Sequence, residues 1–461
     1  MKITVEITGL AYGGAGVGRF GPGAGPEGGK GGKGGKAVFV PYTAPGDVAE
    51  VELTAEKKSF AEGRLVRTLE PSPLRTEPRC RYFGDCGGCA LQHISYPSQV
   101  DLKGDVLRET LRRIGRIEPR RFDPPRAESP PYGYRARARF HFSGGAMGFK
   151  KARSDEVVDI EDCPILTEGV SSAYSGIRAA LMEAPEGVRK KLGALHEVEV
   201  AESPGRGGVA AAFHVTGGGP IPWDRLLSGV PGLKGFEVWM GPRARPGAPA
   251  HQGWRRLRLV ASSGDGSIEY AVGDLVFRAS VGVFTQVNRQ GNLALVEKVV
   301  EYASPVPPGG VLDLFSGVGN FTLPVARAAG RGGAGGPGIS GVESDPVAVR
   351  FARENAEANG LGGVRFVKGG AAEWLRQRAK ALESSMPGVI ILDPPRGGGA
   401  AVARLLAGLR PERVVYVSCS PPTLARDLSI LAESGLRADR AVLVDMFPQT
   451  YHVECVVALS R

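Results

Sequence analysis

The stretch DLFSGVGNF, residues 313–321, follows Val311 and Leu312 and leads into a segment with helical character. A strand that runs into two glycines one residue apart lets the backbone turn tightly and approach a ligand at the carboxyl edge of a sheet. A lone G-x-G is weak, and the third glycine of the dinucleotide fingerprint is missing. The surroundings decide the reading. Four more apolar runs follow with helix-like segments between them: GISGVES (338–344), VRFVKG (364–369), VIILDPP (389–395) and VVYVSC (414–419). That alternation predicts a doubly wound α/β sheet with ligands at the ends of its strands. The last two runs, LRADRAVLVDMFP (436–448) and YHVECVVALS (451–460), have no long helix between them, which predicts a terminal antiparallel pair.

Working outward, 461 residues exceed one ordinary core and predict two or three domains. Residues 1–70 read as short alternating strands around glycine-rich turns, the pattern of a small closed β-barrel. Residues 21–36 and 331–338 are glycine-rich inserts with nothing to pack. No apolar run reaches 18 residues and the first residues show no signal-peptide pattern, so the expectation is a soluble cytoplasmic protein without a membrane segment. Six cysteines are too few for a disulfide scaffold. The net charge is +10, and residues 71–153 hold 17 Lys and Arg against 8 Asp and Glu. Such a patch suits a phosphate backbone, although a solvated basic face would look the same. Within it, alternation in PPYGYRARARFHF (130–142) puts Arg135, Arg137 and Arg139 on one strand face, with aromatic residues nearby. That face is expected to be an RNA platform.

Three groups of residues carry chemistry. Glu343 ends the strand in GVESD, where a carboxylate can hold both ribose hydroxyls of a nucleoside cofactor, and Asp393 ends another strand in VIILDPPRGG. CRYFGDCGGC places Cys80, Cys86 and Cys89 within ten residues, with Cys163 further on. Clustered thiols in a reducing compartment suggest metal, and zinc and an iron–sulfur cluster both accept four thiolates. Finally, VVYVSCSPPTLARDL (414–428) leaves Cys419 at a strand exit, with two prolines behind it. Glu454 stands inside the apolar run of YHVECVVALS, where a carboxylate is costly unless partnered or used, and where desolvation raises its pKa toward that of a working base. Its neighbour Cys455 is read as core.

Together SCSPPTLARDL, FPQTYHVECV, FTQVN (284–288), DLFSGVGNF and LDPPR resemble the RNA uracil-5-methyltransferases. The closest match is the rRNA uracil-C5 branch with an N-terminal TRAM barrel and a 4Fe-4S cluster, and the resemblance spans essentially the whole chain. It implies a TRAM-like, OB-like RNA-binding barrel over residues 1–70 and a central α+β iron–sulfur and RNA-binding domain over 71–270. A class I S-adenosylmethionine-dependent methyltransferase domain would occupy 271–461, with the helical stretch 96–117 packed on it. The resemblance implies that Cys80, Cys86, Cys89 and Cys163 hold the 4Fe-4S cluster. It makes Cys419 the nucleophile and Glu454 the base, and lines the S-adenosylmethionine site with Gln286, Phe315, Asn320, Glu343 and Asp393. One position departs, since Gly370 stands where the family usually has Asp or Asn, which puts a contact to the adenine in doubt.

The implied activity is methylation of C5 of a uridine in RNA, 23S rRNA before tRNA, by a monomer. Uracil C5 attacks a methyl sulfonium poorly, and a thiolate adding at C6 turns the ring into an enolate. Two rivals need no Cys419: a non-catalytic RNA-binding assembly factor, and a methyltransferase acting on a base nitrogen through its D-P-P motif.

Overall fold

The computed structural model describes residues 1–21, 34–217, 219–242, 257–330 and 338–461, so most of both glycine-rich inserts lies outside the described residues. The chain packs into two compact units. Among the described residues no helix is long and apolar enough to cross a membrane.

The first unit holds Met1–Glu109, Lys150–Glu156 and Phe447–Val453. Strands β1 (Lys2–Leu10), β2 (Ala15–Phe20), β3 (Lys36–Pro41), β4 (Val48–Glu56) and β5 (Phe60–Glu70) close a barrel in the order β1-β2-β3-β5-β4. The small barrel expected over residues 1–70 is present. Alternation turns Val5, Ile7, Val38, Val40 and Val51 inward, none more than 3% exposed. Each such side chain contributes about 1.5–3 kcal/mol relative to exposure. The barrel is narrow, so a Cβ on Gly18 would stand 2.4 Å from Val5 Cγ2, and one on Gly63 2.3 Å from Val51 Cγ1. Asp47 ties the barrel to the loop that follows it. Its buried carboxylate accepts from the Ala44 and Ser72 amides (2.6 and 2.9 Å) and from Arg75 Nε and Nη2 (2.7 and 2.8 Å). Burial alone would raise its pKa, but Arg75 and the two amides hold it below the ordinary aspartate value. Gln99, on the helix Tyr96–Thr110, donates to Ile94 O (2.8 Å) and accepts from the Gln449 amide (3.0 Å). That amide pair brings a segment near the C-terminus into this unit.

The second unit holds Thr110–Phe149, Val157–Met446 and Glu454–Arg461. It contains β6 (Arg121–Phe122), β7 (Arg137–Ser143), β8 (Ala146–Lys150, except its last residue), β9 (Val157–Asp159), β10 (Leu195–Ser203), β11 (Gly208–Val215), β12 (Leu233–Met240) and β13 (Arg258–Gly264). Seven of these form a sheet in the order β13-β12-β11-β10-β7-β8-β9. A hairpin of β14 (Ser267–Val272) and β15 (Leu275–Ser280) stands apart from it.

The arginine face of β7 is not the open RNA platform expected of it. Arg137 is only 7% exposed and donates to Glu199 Oε1 (2.7 Å), to the carbonyls of Val281 and Val283, and to Thr285 Oγ1 (3.0 Å). Arg139 pairs with Glu199 Oε2 (3.1 Å) from the facing position on β10. Alternation identified a common face, but it carries no information about what covers that face. At Arg137 a glutamate, the Val281 and Val283 carbonyls and the Thr285 hydroxyl cover it, while Arg135 and Arg139 are half-buried.

The eight-stranded sheet adds β16 (Val311–Leu314), β17 (Ile339–Glu343), β18 (Arg365–Lys368), β19 (Val389–Leu392), β20 (Arg413–Ser418), β21 (Arg437–Val444) and β22 (Glu454–Ser460). Its order is β18-β17-β16-β19-β20-β22-β21-β6. Strands β16 to β20 are parallel, while β22 is antiparallel to both neighbours, as the terminal pair predicted. The middle strands are buried throughout, which explains why they read as unbroken apolar runs. Residues 111–115 form a turn on the helix Pro421–Ala432, where Ser429 Oγ donates to Gly115 O (2.6 Å).

Candidate active site at the mouth of the eight-stranded sheet

Parallel strands deliver their carboxyl ends to one edge. Glu343 is the last residue of β17, while Phe315, Asp393 and Cys419 each come one residue after β16, β19 and β20. Glu454 reaches the same edge because β22 runs the other way. Ser418 lies opposite Cys455 in the β20–β22 ladder, so one step further along each strand Cys419 and Glu454 face one another across the pair. Cross-strand partners share a face, which brings the proposed thiol and carboxylate together.

Local structure holds the thiol in place. The Ser420 amide donates to Ser418 Oγ (3.1 Å), closing the turn around Cys419. Pro421 and Pro422 open the next helix, where a missing N–H costs nothing. The positive end of that 12-residue helix therefore follows the sulfur directly, a pull toward the thiolate that burial and the neighbouring carboxyl groups outweigh. Cys455 points to the other face, is fully buried, and its Sγ meets Ser418 O at 3.4 Å, as a core thiol would.

The electrostatics are those of crowded negative charge. Burial pushes the Cys419 thiol up to about 12, Glu454 and Asp393 add to the rise, and Arg396 opposes it. Burial also holds Glu454 well above the ordinary glutamate value, with Asp393 adding and Arg396 opposing. Asp393 is raised to about 8 by burial and by Asp313, and Asp313 to about 7 by burial and by Glu343. Arg396, from the DPPR run, is thus part of the site's charge balance, and its place just after Asp393 was the available sequence signal.

The glycine turn has features that suit a polar ligand. Phe315 has φ of 81°, a strained conformation for a side chain with a Cβ, and its amide donates to Val342 O (2.9 Å). Gly317 N–H donates to Glu343 Oε2 (3.1 Å), which aims the carboxylate over the turn. Asp313 accepts from Thr322 Oγ1 at 2.6 Å on one oxygen, while its buried Oδ1 and the buried Ser316 Oγ have no hydrogen-bond partner among the described residues. Such orphaned polar atoms beneath a glycine turn fit a nucleoside cofactor. Asn320 exchanges two amide hydrogen bonds with Asn292 (2.9 Å each). Gln286 is half-buried at the end of the segment that Arg137 grips, a support that sequence reading missed. Gly370 caps the helix Ala371–Ser384 with no side-chain bond, and a Cβ there would meet nothing within 4 Å among the described residues.

The cysteines are less assembled. Cys80, Cys86 and Cys89 belong to the first unit and Cys163 to the second, all partly exposed. The Gly88 amide points at Cys86 Sγ (3.4 Å). A thiol-only set with a backbone donor suits a cluster chemically, yet among the described residues no three His, Cys, Asp or Glu side chains gather around a metal-sized point.

Comparison with known proteins agrees with this architecture. A family model described as tRNA (Uracil-5-)-methyltransferase matches residues 265–461, and one for the TRAM domain matches residues 2–66. The 23S rRNA (uracil(1939)-C(5))-methyltransferase RlmD of Methylococcus capsulatus is 34% identical, covering 92% of each chain. That of Dechloromonas aromatica is 36% identical over 92% of this chain and 94% of its own. The crystal structure of Pyrococcus abyssi tRNA (uracil-54, C5)-methyltransferase in complex with S-adenosyl-L-homocysteine superposes with a TM-score of 0.71 at 26% identity, over 99% of this chain and 100% of that one. A barrel, a glycine turn at a parallel sheet and a facing cysteine and glutamate thus stand on a chain that belongs to the RNA (uracil-5-)-methyltransferase family.

Proposed function

We propose that this chain methylates C5 of a uridine in 23S rRNA, with Cys419 as nucleophile and Glu454 as base. The observation that carries the reading is their cross-strand placement beside Asp393 and the glycine turn. S-adenosylmethionine supplies the methyl group as an electrophilic carbon on a sulfonium. Glu343, Gln286, Phe315, Asn320 and Asp393 are the residues that would hold it. Its positive charge suits a mouth where three carboxyl groups oppose one another's ionisation.

Cys419, as the thiolate, adds through sulfur to C6 of the uracil, and the C5–C6 electron pair moves into the enolate so that C5 becomes nucleophilic. Once C5 carries the methyl group, Glu454 takes its proton. The C–H electron pair restores the double bond and expels the Cys419 thiolate. A carboxylate kept out of water is a stronger base than a free one, and a positioned base contributes about 10²–10⁴-fold. The uridine must leave its stack to reach this recess, at a cost of a few kcal/mol.

Cys80, Cys86, Cys89 and Cys163 are assigned as thiolates of a 4Fe-4S cluster, a reading that rests on the resemblance to the cluster-bearing rRNA branch, since the thiols alone would equally suit zinc, and no step of the reaction runs through it. Iron and acid-labile sulfide in anaerobically purified protein are the expected outcome, and zinc in their place refutes it. The chain is read as a cytoplasmic monomer. A tRNA substrate is the second reading, favoured by the tRNA enzyme that shares the fold over nearly the whole chain.

The test is methyl transfer from labelled S-adenosylmethionine to 23S rRNA and to tRNA, both from cells lacking the gene. Label in 23S rRNA is expected. Label in tRNA alone moves the substrate assignment, and label in neither overturns the activity.

A further inference from the structure

We infer that Asp427 is a positioning residue for the reaction, clamping the helix behind Cys419 to the loop that carries Asp393 and Arg396. The inference rests on the reading of Cys419 as nucleophile. Asp427 is fully buried on the helix Pro421–Ala432. Its Oδ2 accepts from the Gly399 amide and from the Tyr416 hydroxyl, both at 2.6 Å, and Arg426 Nε donates to Oδ1 at 2.8 Å. Tyr416 lies on β20 three residues before the nucleophile, and Gly399 closes the loop that Asp393 opens. One carboxylate therefore fastens the strand before Cys419, the helix after it and the loop beyond Asp393.

Two neighbours on the same helix face grip the loop as well. Thr423 Oγ1 donates to Arg396 O (3.4 Å) and Arg426 Nη2 to Gly397 O (3.1 Å). Residues 423, 426 and 427 have the i, i+3, i+4 spacing that lines one side of a helix. The fit is close enough to dictate a residue. Gly398 has φ of +77°, and a Cβ there would lie 2.4 Å from Arg426 Nη2 and 2.8 Å from Asp427 Oδ2.

Asp427 itself touches no reacting atom. Its effect passes through the relative placement of the sulfur and of the two groups that tune it, Asp393 and Arg396. A displacement of about 1 Å at a reacting centre costs on the order of 10²-fold in rate. A merely structural buried carboxylate would instead lower stability, with activity falling only as the folded fraction falls.

The test compares Asp427→Ala, Asp427→Asn and Gly398→Ala in the full chain, with Cys419→Ala as control. Readouts are kcat, KM for RNA, S-adenosylhomocysteine affinity, thermal midpoint, and the rate of covalent adduct formation with 5-fluorouridine RNA. For Asp427→Ala, kcat and adduct rate fall together by about 10²-fold, with S-adenosylhomocysteine affinity within about twofold. Asp427→Asn, which keeps an acceptor oxygen for Gly399 and Tyr416, recovers much of the loss. A folded Asp427→Ala with unchanged kcat, or a kcat loss matched by loss of S-adenosylhomocysteine affinity, overturns the inference. Should Asp427→Ala not fold, Gly398→Ala strains the same clamp from the loop side, and unchanged adduct formation in it overturns the inference equally. An active Cys419→Ala defeats the nucleophile reading itself, whereas an inert Cys419→Ala beside a normal Asp427→Ala defeats only the clamp.

Discussion

Glu199 in the seven-stranded sheet and Glu454 in the eight-stranded sheet are each 4% exposed, yet their surroundings differ in kind. Burial would raise both. At Glu199 the guanidinium groups of Arg137 and Arg139, at 2.7 and 3.1 Å, reverse that effect and hold the carboxyl below its ordinary value. At Glu454 the next largest influence is Asp393, another carboxylate, and Arg396 offsets it only in part. Asp123 resembles Glu199: burial is outweighed by Arg440, Tyr302 and Lys298. Burial therefore does not distinguish a structural carboxylate from a reactive one. Compensation does. Where the fold supplies counter-charge the group is a brace, and where it withholds it the group is poised to exchange a proton or receive a cation.

The comparison can be broken in several places, beginning with the largest effect. Cys419→Ala should reduce methyl transfer to background while leaving S-adenosylhomocysteine binding intact by calorimetry, and a folded variant that still methylates would remove the sulfur from the chemistry. Glu454→Gln should lower turnover by about 10²–10⁴-fold and accumulate an RNA–protein adduct on denaturing gels. The same change removes an uncompensated carboxyl, so the denaturant midpoint at neutral pH should hold or rise. Glu199→Gln should act oppositely on stability, costing about 3–5 kcal/mol because Arg137 is left buried without its partner. Equal midpoints for the two variants would erase the distinction.

The pH dependence carries the same contrast of sign. Asp313 has a native pKa raised to about 7 from 3.8, so between those values the native state keeps a proton that the unfolded chain has lost, and stability falls as pH rises. Asp313→Asn should flatten that slope in denaturant titrations across the interval. Glu199, with its lowered native value, contributes stability that is present above the unfolded glutamate range and is lost as pH falls through the native one. The smallest effect is expected at Gly370. Gly370→Asp would place an acceptor at a bare helix start, gaining only about a few tenths of a kcal/mol in stability, read from the denaturant midpoint.

Much of the α/β sheet was legible in the sequence because buried parallel strands are short apolar runs, and their last residues announce the edge where ligands sit. DLFSGVGNF, LDPPR and SCSPP could be placed at that edge from the chain alone. The meeting of Cys419 with Glu454 required a register between strands some 35 residues apart, which local pattern does not encode. Arg137 was misread because its partner Glu199 is 62 residues away and the backbone it grips is 144 to 146 residues away. The clamp at Asp427 was invisible for a similar reason: it joins a helix to a loop through a glycine whose constraint appears only once both are packed.

The two rims of the eight-stranded sheet remain. One is β6, only two residues long and headed by the exposed Arg121. The other is β18, four residues with exposed Arg365 and Lys368 at its ends. Brief, cationic borders offer a poor template to a stray strand from another molecule, which discourages edge-to-edge aggregation. In a crowded translating cell, that reluctance to recruit strangers would help a slowly assembling parallel sheet reach its native pairing unaided.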